Sequence, residues 1–253
     1  IDSITVIYKN TTQNIVINRS DPLWNYKDYA DYVEINLGDG RMLQSQYYVQ
    51  VINNYSTLYM ANNDQKPIVS LKSPIHEMGH IFGLLDLYNS SGQTPVYFMS
   101  AMANATSPVP QGLSIKEKEA LGWTDDSTLK TITEPGEYKV KLSGTATGTD
   151  DCIGYKAGIP ELNRTLYLEY RNFSTDGSKY DKSEKQLTNS ETSNIKSGLV
   201  CYLAQPDIRF PSNLNGKPGN WALEVMGGTQ STKSDAALGL SDSLQVTDKL
   251  KVT

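Results

Sequence analysis

The stretch His76-Glu77-Met78-Gly79-His80-Ile81-Phe82-Gly83-Leu84-Leu85-Asp86 restricts this chain more than any other, because it asks for a helix, a sharp stop and a return within one short run. His76 and His80 are four residues apart, so on a helix both imidazoles leave from one face and can grip one ion. Glu77 stands beside them, near enough to take a proton from a water held by that ion. Gly83 can adopt a positive φ, which ends the helix and turns the chain. The turn carries Asp86 back as a third ligand. Two nitrogens and one carboxylate oxygen suit zinc and leave a fourth position open, as catalytic rather than structural zinc sites do.

The simpler account is a helix that holds two histidines by chance. The glycine and the acid fall where a zinc-binding turn needs them, and the chain has two histidines in all, both in this stretch. A structural zinc site wants four protein ligands, and the thiols, Cys152 and Cys201, lie far along the chain. The expectation is a zinc hydrolase centre with His76, His80 and Asp86 as ligands and Glu77 as general base. The cysteines are too few for a disulfide scaffold. They either pair or remain as two buried free thiols, and the sequence allows both.

With 253 residues the chain can bury a sizeable core, and its net charge of −5 argues against a nucleic-acid partner, which favours a basic face. No apolar run approaches the length of a membrane span. Residues 1–9 read as a strand rather than a signal peptide, so the N-terminus is expected to be a processed end.

Residues 4–9, 14–17 and 32–36 read as short strands, with turns at Asp21-Pro22 and Gly38-Asp39-Gly40. The run 42–53 permits strand or helix; Tyr48, Val49 and Val51 favour a strand. Ser73 suits the N-cap of the motif helix and Pro74 its first turn. Ile75, Met78, Phe82 and Leu85 are expected to pack around the ligand face. Ser114 and Glu117 have the spacing of a capping box, which predicts a short helix to Leu121 that ends at Gly122. After Trp123 the texture changes: Tyr138, Val140 and Leu142, then residues 166–171, 199–203 and 244–252, alternate with period two. The polar run 172–197 reads as a surface loop. The whole reads as an α+β chain with residues 1–125 as a catalytic domain and 126–253 as a smaller all-β, sandwich-like accessory domain.

HExxHxxGxxD followed by a downstream methionine resembles the metzincin group of zinc peptidases, in which a Met-containing turn lies beneath the metal. By position Met99 is the candidate and Met102 the reserve. The chain more closely resembles the immune inhibitor A family of secreted bacterial metallopeptidases. That family's HE-x-GH-x-x-G-x-x-D-x-Y is matched from His76-Glu77-Met78-Gly79-His80 through Asp86-Leu87-Tyr88. Ile1-Asp2-Ser3-Ile4-Thr5 is similar to the first strand of its catalytic domain, and Lys118-Glu119-Ala120-Leu121-Gly122-Trp123 to the K-x-x-LGW that closes it. Leu168-Glu169-Tyr170-Arg171 and Gly198-Leu199-Val200 are similar to patterns in its β-rich region. Astacin- and serralysin-like relatives place a tyrosine two residues after the Met. Here that position is Ala101, with Tyr88 and Tyr97 nearby.

The resemblance implies a metzincin-like zinc peptidase domain followed by a β-rich domain. It implies a secreted or cell-surface zinc metalloendopeptidase acting on protein or peptide bound in extended form. Zinc is the implied cofactor; calcium is often carried in that family as well. Two rivals stand beside it: a catalytically silent surface-binding module that keeps the fold, and a zinc hydrolase acting on something other than peptides.

Overall fold

The computed structural model describes residues 4–9, 26–36, 42–53, 58–61, 66–69, 72–89, 91–103, 112–141, 152–172, 196–206, 208, 221–229 and 235–253. Ahead of Ile75 the description is of the backbone. The expected strand at 14–17, the turns at 21–22 and 38–40, and most of the run 172–197 lie outside these residues. The chain divides by packing into two units, one of residues 1–83 and 108–110, the other of residues 84–107 and 111–253. That division falls upstream of the 125/126 boundary expected from the change in texture.

In the first unit, β1 (Ile4–Lys9), β2 (Tyr26–Asn36) and β3 (Met42–Asn53) form a sheet in the order β1-β3-β2. β1 runs parallel to β3, and β2 runs antiparallel to it with a register shift between Tyr29 and Val33. The ambiguous run 42–53 is therefore the central strand, as its Tyr47-Tyr48-Val49 and Val51-Ile52 content favours. β4 (Leu58–Ala61) and β5 (Lys66–Val69) pair as an antiparallel ribbon. The helix α1 (Lys72–Ile81) lies against β2 and β3. It starts one residue before the expected cap Ser73, which leaves Pro74 in the first turn, where a missing N–H costs nothing.

The second unit is built on a five-stranded sheet. Its strands are β6 (Leu129–Thr131), β7 (Gly154–Ile159), β8 (Arg164–Arg171), β9 (Gly198–Ala204) and β10 (Leu223–Val225), in the order β10-β9-β8-β7-β6. β6 and β7 are parallel and the other pairs antiparallel. The period-two alternation sorts side chains onto two buried faces. Leu166, Leu168, Cys201 and Leu203 form one apolar cluster, against which Leu238 and residues from the small ribbon β11 (Leu244–Gln245) and β12 (Lys251–Val252) pack. Tyr167, Val200, Tyr202 and Ala204 join the other, together with Leu84, Leu87, Met99, Met102 and Ile115. The segment after α1 and the second helix thus share a core with the strands, which is why the packing boundary precedes them. Residues 138–141 form no strand; Lys141 N–H on the Cys152 carbonyl at 2.8 Å, the Tyr155 hydroxyl on the Lys139 carbonyl at 2.8 Å and the Tyr138–Tyr155 ring contact help to hold this arm. Among the described residues no helix is long and apolar enough to cross a membrane.

Helix α2 (Ile115–Ala120) carries both halves of the expected capping box, Ser114 and Glu117. It ends in a Schellman arrangement, with Gly122 at φ 72°, the Gly122 N–H on the Glu119 carbonyl and the Trp123 N–H on the Lys118 carbonyl. Glu119 ties it to the sheet: its carboxylate accepts from Lys156 at 2.8 Å, Lys116 at 2.9 Å and the Tyr167 hydroxyl at 2.7 Å. Burial raises the pKa of this carboxyl, but the three hydrogen bonds outweigh burial and bring it down to about 2. What the group contributes to stability is therefore complete above its ordinary value of 4.5 and is lost as pH falls through about 2.

The register also decides the thiols. Cys201 lies opposite Leu168, which lies opposite Tyr155 on the next strand over. Two strand spacings, about 10 Å, thus separate Cys201 from Tyr155, and Cys152 lies three residues upstream of that tyrosine, beyond the roughly 7 Å that a disulfide spans. Both cysteines are free and buried, and burial pushes the Cys201 thiol up to about 12. Titration with a thiol reagent should therefore count two thiols in denaturant without prior reduction and very slow reaction of the native protein. A count of zero without reductant and two with it would show that the pair bridges.

Candidate metal centre

Helical spacing sets the first two candidate ligands. His76 is buried and His80 half-buried on α1, with ring centroids 4.9 Å apart and planes at 86°. Met78 and Phe82 were expected to pack around this face but are 41% and 52% exposed. Two residues along a helix is about 200°, so this pair stands on the side opposite the imidazoles. Glu77 occupies the helical position directly after His76.

The helix then stops as its sequence requires. Phe82 N–H still reaches the Met78 carbonyl at 3.2 Å, but Gly83 N–H bonds to the His80 carbonyl at 2.9 Å, a tightened last turn. Gly83 takes φ 90°, which strains any side-chain-bearing residue even though no atom lies where a Cβ would sit. Beyond it Leu84, Leu85 and Leu87 are buried, at 1%, 8% and 1% exposure. Asp86 is half-buried between two of these anchors.

This continuous run, helix, turn and return, brings His76, His80 and Asp86 together: one ligand atom from each lies within 4.8 Å of the others. Donors bound to a single zinc at about 2.0–2.2 Å stand within about 4.4 Å of one another, so a small side-chain adjustment suffices. The donor set fits zinc. Among the described residues no other group of three or more His, Cys, Asp or Glu side chains is placed to hold a metal.

The segment that follows Asp86 is fixed by hydrogen bonds to buried and half-buried groups. Leu87 N–H donates to the Met102 carbonyl at 2.9 Å, and the Thr94 hydroxyl donates to the Leu87 carbonyl at 2.7 Å. Tyr97–Met99 is a 3-10 turn, with Tyr97 at φ 33°, uncommon for an aromatic residue. Met99, Ala101 and Met102 are all buried, while Tyr88 and Tyr97 are half-buried. Arg171 Nη1 donates to the Met99 carbonyl at 3.4 Å, and the Ser100 hydroxyl donates to Glu117 at 2.6 Å. Burial raises the Glu117 pKa, an effect that its hydrogen bonds from Ser100 and Ser114 oppose. In the sequence Glu117 is marked as a capping residue only, and nothing local marks the partners of Ser100, Thr94 or Arg171. No protein-family model, curated protein or solved structure matches this chain.

Proposed function

We propose that the chain is a zinc-dependent endopeptidase, secreted or displayed at the cell surface, of the immune inhibitor A-like metzincin type. The observation that carries the reading is the gathering of His76, His80 and Asp86 by one helix–turn–return segment. The motif with Glu77 intact adds to it, since a purely structural site has no use for a base beside the first histidine. A zinc ion held by these three residues would act as a Lewis acid and lower the pKa of water from 15.7 to about 7. Glu77 takes the proton of the attacking water and returns it to the leaving amine. A peptide offered in extended form, added as a strand to a sheet edge, presents its scissile carbonyl without a competing fold.

Metal analysis coupled to proteolysis of an unfolded protein tests this. About one zinc per chain and cleavage that a chelator abolishes and zinc restores are expected. Stoichiometric zinc without cleavage of any unfolded protein would favour the silent binding module. Zinc-dependent hydrolysis confined to non-peptide esters or amides would favour the other rival.

A further inference from the structure

One chain of hydrogen bonds runs from the peptide after Asp86 into the interior of the second unit. Leu87 N–H bonds to the Met102 carbonyl at 2.9 Å, and Met102 N–H bonds to Ser100 Oγ at 2.9 Å. The Ser100 hydroxyl donates to Glu117 Oε1 at 2.6 Å, while Glu117 Oε2 accepts from the Ser114 N–H at 2.7 Å and its hydroxyl at 2.6 Å. Ser100 is 0% exposed and Glu117 1%. Helix capping alone would engage one carboxylate oxygen; the second reaches across to the 97–103 turn. Ser100 stands at the junction, accepting from the turn and donating to the helix, so neither bond can be remade with water.

We infer that Ser100 and Glu117 are positioning residues for Asp86, and set the metal affinity of the site by fixing the peptide that follows it. The inference rests on the zinc reading above. Groups that orient a ligand typically change metal affinity about 10–100-fold when removed. The Met102 peptide is the relay: it bonds Leu87 through its carbonyl and Ser100 through its N–H, so loss of the serine hydroxyl loosens the strut against which Asp86 is set.

A double-mutant cycle on the full chain tests it, with zinc affinity read by competition against chelators of graded strength at a temperature where every variant is folded by circular dichroism. Ser100→Ala should weaken zinc binding about tenfold in the parent background. In the Asp86→Ala background the same substitution should change affinity less than twofold, because the ligand it positions is gone. Equal losses in both backgrounds would mean that Ser100 supports the fold only, and would overturn the inference. Unchanged affinity in the parent background would overturn it too, leaving the zinc reading intact. A parent that binds no zinc would remove both. Should Ser100→Ala fail to fold, Glu117→Gln, which keeps the shape and an acceptor for Ser114, takes its place in the same cycle.

Discussion

Asp86→Ala is expected to strip the site of most of its affinity for zinc while leaving the fold in place. Two protein ligands on one helix hold an ion far less firmly than three, and the loss should exceed the roughly 10–100-fold that removal of a supporting group costs. The fold should survive, because the anchoring is done by the neighbours: Leu85 and Leu87 are buried at 8% and 1% exposure, and the Leu87 N–H keeps its bond to the Met102 carbonyl. A competition titration of parent and variant, with the melting temperature measured on both apo proteins, checks each half. Near-parental affinity in the variant would reduce Asp86 to a turn residue and leave a two-histidine site.

The helix, turn and return of residues 76–86 were legible in the sequence because their geometry is local. A spacing of four residues on a helix fixes where two imidazoles go, and Gly83 at φ 90° answers to the one residue type that needs no accommodation there. Helix α2 was legible for the same reason: its cap, Ser114, its partner, Glu117, and its stop, Gly122, all lie within a few residues. The alternation in β8 and β9 told which side chains share a face, but not what would cover each one. Coverage is a long-range choice. Leu84, Leu87, Met99 and Met102 share a core with Tyr167, Val200 and Tyr202, and no local pattern announces that the segment following α1 will lie on a sheet far downstream. The arm at 138–141 shows the converse: Tyr138 and Val140 alternate like a strand, yet these residues form none, since alternation alone does not supply a ladder of backbone partners. Buried polar partners are the least legible of all. Glu169 accepts from the Tyr202 hydroxyl across the β8–β9 pair, its other oxygen buried without a hydrogen bond and 3.8 Å from Lys118. Each of these residues looks, in sequence, like an ordinary surface group.

Glu77→Ala should separate catalysis from metal binding. Its place on α1 is one residue after His76 and three before His80, so the ligands themselves are untouched by the change. Ala is the best helix former, and the substitution should therefore leave α1, and with it the zinc content, close to parental. Activity is another matter. A general base contributes about 10²–10⁴-fold to a proton-transfer step, and in the proposed mechanism the same carboxylate both takes the proton of the attacking water and returns it to the departing amine. The fall in kcat/KM should be at least of that order, about 3–5 kcal/mol of lost transition-state stabilisation. Zinc per chain and the apparent zinc affinity of the variant should match the parent within a factor of about three. Measuring both on one preparation matters, because inactivity with lost zinc would place Glu77 in the ligand set, and inactivity with retained zinc in the chemistry. An active parent beside an equally active Glu77→Ala variant would leave the hydrolysis without its proposed base and require another group for it.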